Sequence, residues 1–254
     1  MKEILQHQLS PSEAALWWLG QAGYVVRVAN LTVVIDPYLS DSGGVGSGSL
    51  EFSRLYPPPI QPQDLTAGII IITHNHLDHL DPDTLSHYQK KNDTWFVAPW
   101  LTAKELLKVG ISQDRIVVVN AGQSHTFGDV QVTGVFALPT GVDVLDTTGY
   151  LVKFANGRSV YHTSDTQFHP LVLEAAPKKP DVMCVPINGK WGNPGPEQAA
   201  IFAGVVQPKF VLPNHYDTMA LNAENPAVFQ WFCENRRVPG QCVITERMQP
   251  FVWQ

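Results

Sequence analysis

Basic residues are scarce. Lys and Arg number 17 in 254 residues against 23 Asp and Glu, for a net charge of −6. No run or stripe of Lys and Arg occurs, which excludes the extended positive surface that nucleic acids require. Cysteine is scarcer still. Cys184, Cys233 and Cys242 have no C-x-x-C spacing. An odd, sparse set excludes a disulfide scaffold and points to a reducing compartment, so the expected location is cytoplasmic. No apolar stretch approaches the roughly 20 residues that span a bilayer. The opening MKEILQHQLSPSEAAL lacks the apolar h-region of a signal peptide, and no membrane partner is expected. The chain also lacks a G-x-S-x-G nucleophile elbow and a G-x-x-x-x-G-K-[ST] phosphate loop.

What is present is a β-rich chain, 44% hydrophobic and 16% charged, with ample material for the core of one α/β domain. LWWLG (16–20), GYVVRVA (23–29) and LTVVIDP (31–37) read as an antiparallel meander. GIIIIT (68–73) is an unbroken β-branched run, the pattern of a strand buried on both faces. TWFVAP, RIVVVN, DVQVTGVFALP, PDVMCVPIN and KFVLPNHYD read as further strands, and Asn156-Gly157 marks a hairpin turn. LTAKELLKVG (101–110) and PEQAAIFAGVVQP (196–208) have helical signals, with Gly110 as a C-cap and Pro196 as an opening residue. The Gly/Ser-rich segment 41–49 reads as a mobile flap.

The chain echoes itself. Gly23 to Asn30, GYVVRVAN, matches Gly149 to Asn156, GYLVKFAN, at an offset of 126. The echo predicts one domain over 1–254 in two pseudo-symmetric halves, about 1–125 and 126–254, each with a sheet and covering helices.

ITHNHLDHLD (72–81) follows the buried run directly. His74 and His76 are two apart and point the same way from an extended segment. Asp78 and His79 follow on the next turn. Neutral imidazoles and carboxylates suit Zn, Mn or Fe, and burying four such groups without an ion is costly.

THNHLDH resembles the His-x-His-x-Asp-His signature of the metallo-β-lactamase superfamily. LWWLGQAGYVV, VIDPYLSD, VFALPT, GYLVKF, YHTSDTQFH, DVMCVPINGKWGN, PEQAA and LPNHYD further resemble its UlaG-like branch, the L-ascorbate-6-phosphate lactonase-like proteins. The resemblance implies an α/β fold, a four-layer αβ/βα sandwich with the metal site at the sheet edges. It implies His74 and His76 as ligands of a first ion. Asp78, His79 and His215 would hold a second, and Asp165 would bridge them. It implies one or two divalent ions, Mn or Zn. A third first-ion histidine is missing where the chain reads ALPTG (137–141), and Asp143 and Asp146 are the candidates to replace it. His169 resembles a family histidine and is expected to contact substrate or transfer a proton.

Around these residues, Asn188 and Lys190 lie past a strand end, with Lys190 either meeting an anionic group or simply solvated. Asp36 and His162 are expected to hold the ligand loops in place. His125 is expected at a turn and, like His7 and His87, outside the chemistry. The expected reaction is hydrolysis, in which water acidified by the metal attacks an ester or lactone carbonyl. Asp78 would handle the proton and the metal or His169 the oxyanion. The expected substrate is a small molecule, including anionic or phosphorylated sugar lactones. Two alternatives stand: a phosphodiesterase of the phospholipase-D-like branch, which IDPYLS and the Pro-rich 54–62 also resemble, and a metal-binding protein without catalysis. Trp231 and Phe232 pack either between copies of a homo-oligomer or in the core.

Overall fold

The computed structural model describes residues 1–254 and builds two sheets of seven strands. After α1 (Lys2–Gln6), the strands β1 (Ala14–Gly20), β2 (Gly23–Val28) and β3 (Leu31–Ile35) run antiparallel. Then come α2 (Ser42–Ser47), β4 (Ile69–Ile71), α3 (Pro82–His87), β5 (Trp95–Ala98), α4 (Trp100–Lys108) and β6 (Ile116–Val118). The pairs from β3 to β6 are parallel. The second half repeats this plan. β7 (Ser124–Phe127), β8 (Val130–Phe136), β9 (Thr148–Phe154) and β10 (Ser159–His162) are antiparallel. They are followed by α5 (Pro170–Ala175), β11 (Val182–Pro186), α6 (Pro196–Val206), β12 (Phe210–Asn214), α7 (Pro226–Asn235) and β13 (Gln241–Cys242), with β10 to β13 parallel. The last strand, β14 (Pro250–Trp253), returns to the first sheet and pairs antiparallel with β1.

The sheet orders are β14-β1-β2-β3-β4-β5-β6 and β13-β12-β11-β10-β9-β8-β7. β2 and β9, which carry the sequence echo, are each third from an edge. Alternation along the strands shows the layers. Leu16, Trp18, Ile69 and Ile71 join a core of 38 residues that also takes Val132, Tyr150 and Val152 from the second sheet. Their neighbours Ala15, Trp17, Leu19, Ile70 and Ile72 face a second core with Ile4, Leu85, Ala103 and Leu106 of α1, α3 and α4. On the far side Val172, Phe202 and Phe229 of α5, α6 and α7 complete the stack. The result is helices, sheet, sheet, helices: the four-layer α/β sandwich expected. The Ile run at 69–72 is apolar throughout because both its faces are covered.

Two local expectations are corrected. The segment 41–49 is not an open flap: Ser42–Ser47 is helical and ends at Gly48 with φ 65°. Asp41 Oδ1 accepts the Arg54 N–H at 2.8 Å, and Gly44 packs so closely on Ser53 that a Cβ would lie 2.8 Å from its Cα. His125 lies within β7 opposite Val132, not in a turn. Of the aromatic pair in α7, Phe232 packs on the core and Trp231 is exposed. No helix is long and apolar enough to cross a membrane.

Candidate metal centre

Parallel strands deliver their C-terminal ends to one edge of each sheet, where loops can carry side chains without disturbing the ladders. Asp36 follows β3, His74 to His79 follow β4, Asp165 follows β10, Asn188 and Asn193 follow β11, and His215 follows β12. Two cross-sheet hydrogen bonds bring the edges together. Thr148 N–H donates to Thr73 O at 3.1 Å, and His215 N–H donates to Gln21 O at 3.0 Å.

Asp36 organises the first loop. Its Oδ1 accepts Thr73 N–H at 2.8 Å, and its Oδ2 accepts Thr73 Oγ1 at 2.7 Å and His79 Nδ1 at 2.7 Å. The last bond puts the imidazole proton on Nδ1 and leaves the His79 Nε2 lone pair free. Asp81 closes the same loop. It caps α3 by accepting Asp83 N–H and Thr84 N–H, and it accepts Leu39 N–H and Ser40 N–H from the neighbouring loop.

The free donor atoms converge. His79 Nε2 lies 3.5 Å from Asp165 Oδ1 and 3.8 Å from Asp78 Oδ2. His215 Nε2 lies 3.1 Å from Asp165 Oδ2 and 3.3 Å from Asp78 Oδ2. Metal bonds of about 2.0–2.2 Å in a tetrahedron put neighbouring donors about 3.3–3.6 Å apart, so these separations match an ion-sized gap. His79 Nε2 and Asp165 Oδ1 are buried and have no hydrogen-bond partner. Orphaned buried groups of this kind are rare, and facing each other they fit a divalent cation. Two sets of donors lie within 4.8 Å: His74, His79 and Asp165, and Asp78, His79 and His215.

The charges support the same reading. Burial raises the Asp165 pKa, but attraction to His215 and His79 outweighs it and holds the carboxyl well below its usual range. Asp78 is held low in the same way by His79 and His215. Burial lowers His215, yet Asp165 and Asp78 raise it to about 9, and His79 is raised well above the imidazole range by Asp78, Asp165 and Asp36. His74, deep beside His79, is pushed well below that range by burial first and by its neighbour second. Two buried carboxylates thus concentrate negative charge between His79 and His215, a setting that attracts a cation.

His76 stands apart from both donor sets. Its Nδ1 lies 2.9 Å from His74 Nε2, and its Nε2 lies 3.3 Å from Asp143 Oδ2. The set expected for the second ion, Asp78, His79 and His215, is thus brought together, with Asp165 beside it, while His74 Nε2 and His76 Nδ1 stay adjacent. Of the candidates for the missing third histidine, Asp143 reaches His76 and Asp146 does not reach the centre. Asp146 accepts Leu101 N–H and, at 3.3 Å, Thr102 N–H and Thr102 Oγ1, capping the start of α4.

Three other residues named from the sequence lie outside the donor sets and the cavity lining. His169 is exposed and caps α5, its Nδ1 accepting Leu171 N–H at 3.2 Å. It belongs neither to the donor sets nor to the lining of the cavity over them. Lys190 points its ammonium at Leu221 O and lies outside the cavity lining. Asn188 is buried and donates to Asn222 Oδ1 at 3.2 Å.

Sequence reasoning missed Gln21, Asn193 and Asn222. Gln21 Nε2 donates to Asp78 Oδ2 at 2.7 Å and lies 3.2 Å from His215 Nε2. Asn193 Nδ2 donates to Asp165 Oδ2 at 2.9 Å, and Asn222 Nδ2 lies 3.3 Å from His215 Nδ1. Only Gln21 left a signal, as the one polar residue in the apolar WLGQAGYVV.

A cavity of about 430 Å³ opens over the centre. Asp78, Asp165 and His215 line it with His76 and Asp143. Phe52, Leu77, Trp191 and Met219 form its apolar walls, and Gly43 and Gly46 of α2 one side. No Lys or Arg lines it.

The comparisons agree with this geometry. Residues 15–215 match the Beta-lactamase superfamily domain. A UPF0173 metal-dependent hydrolase of Anoxybacillus flavithermus is 32% identical over 223 residues, covering 84% of this chain and 91% of its own. A UPF0173 metal-dependent hydrolase of Archaeoglobus fulgidus is 29% identical, covering 89% and 94%. Igni18, a metallo hydrolase of Ignicoccus hospitalis, superposes with a TM-score of 0.75 at 19% identity, covering 95% of this chain and 99% of its own. With its sandwich fold, its convergent His and Asp donors and these relatives, the chain belongs to the metallo-β-lactamase superfamily, in the family of UPF0173 metal-dependent hydrolases.

Proposed function

We propose that this hydrolase cleaves an uncharged carboxylic ester or lactone, using Zn or Mn held by Asp78, His79, Asp165 and His215. The observation that carries the reading is the pair of buried, unpartnered atoms, His79 Nε2 and Asp165 Oδ1, under a cavity without a side-chain cation. The donor set, imidazole nitrogen with carboxylate oxygen, suits either ion. When bound, the ion acidifies water to supply a nucleophile at neutral pH and polarises the bond to be cleaved.

The chain's own residues do the rest. Asp36 holds the His79 ring by Nδ1, and Asn193 fixes Asp165 through Oδ2. Gln21 orients Asp78, whose carboxylate lines the cavity and is placed to pass a proton from the attacking water to the leaving oxygen. The apolar walls exclude bulk water and strengthen these interactions. The phosphorylated sugar lactone expected from the UlaG-like resemblance finds no Lys or Arg here, since Lys190 is engaged elsewhere. An unphosphorylated ring or ester suits the lining better.

Metal analysis combined with parallel assays on aryl esters, aliphatic lactones and bis(p-nitrophenyl) phosphate tests this reading. The expected result is at least one equivalent of metal and turnover of esters or lactones, both lost in His79→Ala. Cleavage of the phosphodiester alone would replace the substrate class. Ester turnover unchanged in His79→Ala would overturn the assignment of the centre.

A further inference from the structure

We infer that the substrate carries an unbranched hydrocarbon chain, and that this chain lies along the glycine face of α2 against Phe52, Leu77, Trp191 and Met219. The inference rests on the ester or lactone reading of the centre and names the part of the substrate remote from the reacting bond.

The first observation is α2 itself. Ser42–Ser47 reads SGGVGS, and glycine is unfavourable in a helix because it has the most backbone freedom to lose. Gly44 has a packing reason, its contact with Ser53. Gly43 and Gly46 are in close contact with side chains around the cavity. They are three apart, hence on one face, and both line the cavity. A Cβ on Gly46 would lie 2.5 Å from Leu77 Cδ1, and one on Gly43 would lie 3.0 Å from Tyr38 Oη and 3.5 Å from Met219 Cε. Without side chains at these two positions, Leu77, Tyr38 and Met219 come up against α2, and the helix presents bare backbone to the cavity.

The second observation is the opposite wall. Phe52 and Trp191 come from different halves of the chain and stack with centroids 6.0 Å apart and planes at 29°. Trp191 is held in left-handed backbone at φ 52° and is still 48% exposed. A tryptophan kept exposed in a strained conformation at a cavity wall offers an apolar surface to a ligand. The third observation is exposed apolar side chains in the segments that supply the lining. Val45, Leu50 and Val142 are adjacent or near in sequence to lining residues and are 76%, 88% and 97% exposed. With no Lys or Arg lining the cavity and with Asp143 on its wall, an anionic tail is disfavoured and a neutral apolar one fits.

The test uses the full-length, metal-loaded protein and unreactive, uncharged methyl ketones from butan-2-one to decan-2-one, titrated by calorimetry. Kd is expected to fall about fourfold for each added methylene over the first several carbons. Gly46→Leu is expected to abolish the gain beyond the shortest chains. Trp191→Ala is expected to flatten the series, and Trp191→Phe to restore part of it. A Kd independent of chain length, or the same slope in Gly46→Leu and Trp191→Ala as in the wild type, overturns the inference. p-Nitrophenyl esters from acetate to decanoate separate it from the reading beneath it. Hydrolysis without chain-length dependence removes the hydrocarbon tail and leaves the hydrolase. A chain-length slope in ketone binding with no hydrolysis of any ester or lactone supports the apolar site and overturns the ester chemistry.

Discussion

Gln21, Asp36, Ser164 and His215 surround the centre, and all four have positive φ without being glycine. Such backbone is uncommon and persists where surrounding bonds over-determine it. Asp36 shows how: three hydrogen bonds fix its carboxylate, one of them setting the His79 tautomer. Asp36→Asn is therefore expected to weaken metal binding by about 10- to 100-fold, measured by competition with a chromophoric chelator. His162 makes a second prediction. Its Nε2–H donates to Ala22 O at 2.9 Å and its Nδ1 accepts Ser164 N–H at 3.1 Å, so the neutral ring uses both nitrogens. Burial holds its pKa below the ordinary value, so between that folded value and about 6.5 the unfolded chain binds the extra proton. Stability contributed by neutral His162 is complete above about pH 6.5 and is lost as the pH falls below it. In urea unfolding from pH 7.5 to 5.5 this one proton contributes a fall of up to about 1.4 kcal/mol per pH unit, set against the opposite contributions of His79 and His215. His162→Gln should reduce the slope by that share.

Among the elements, α4 and α5 account for two residues that the sequence pattern placed in the chemistry. Asp146 and His169 both turn out to cap helices. Asp and His near a metal motif look alike on paper whether they bind an ion or a backbone amide, because a carboxylate or imidazole accepts either. Asp146→Ala should lower stability by about 1 kcal/mol through the lost cap while leaving metal content unchanged. Chemical denaturation and metal analysis on the same preparation check both halves of that statement. His169→Ala should leave ester or lactone turnover at the wild-type level. The short helix α2 is the converse case. Its glycines suggest a loose loop, and only the packing of Gly44 on Ser53 and the Asp41 bond to Arg54 show why it is ordered.

The whole molecule is two echoed halves joined by an exchange. β14, the last strand of the second half, completes the edge of the first sheet beside β1. Its Phe251 meets Phe210 of the second sheet edge-to-face at 5.1 Å, and Trp253 is buried in the central core. Trp253→Ala is expected to destabilise the protein by about 3–5 kcal/mol, read as a lower urea midpoint with an unchanged m-value. The same two-sheet plan explains the centre. Neither half owns a complete donor set: His74, Asp78 and His79 come from the first, and Asp165 and His215 from the second.

The chain's own pattern determined much of this. Period-two and unbroken apolar runs marked β1 to β6 and β8 to β12, since strand burial on one or two faces writes itself into neighbouring residues. The echo at Gly23 and Gly149 located equivalent strands, and the ITHNHLDHLD segment announced metal-binding chemistry because few other uses justify so many imidazoles and carboxylates behind a buried strand. Short edge elements, β7, β13 and β14, went unread because edge strands have few covered positions and little periodicity. Which acids and histidines face one another was decided only by tertiary structure. Gln21 and His215 are 194 positions apart, yet their contact depends on two sheet edges meeting. The same meeting turned His76 toward Asp143, gave Asp146 and His169 to helix ends, and left a cavity whose walls hold no cation. Distance along the chain carries no record of such encounters, because they are set by how two sheets stack and not by any local pattern.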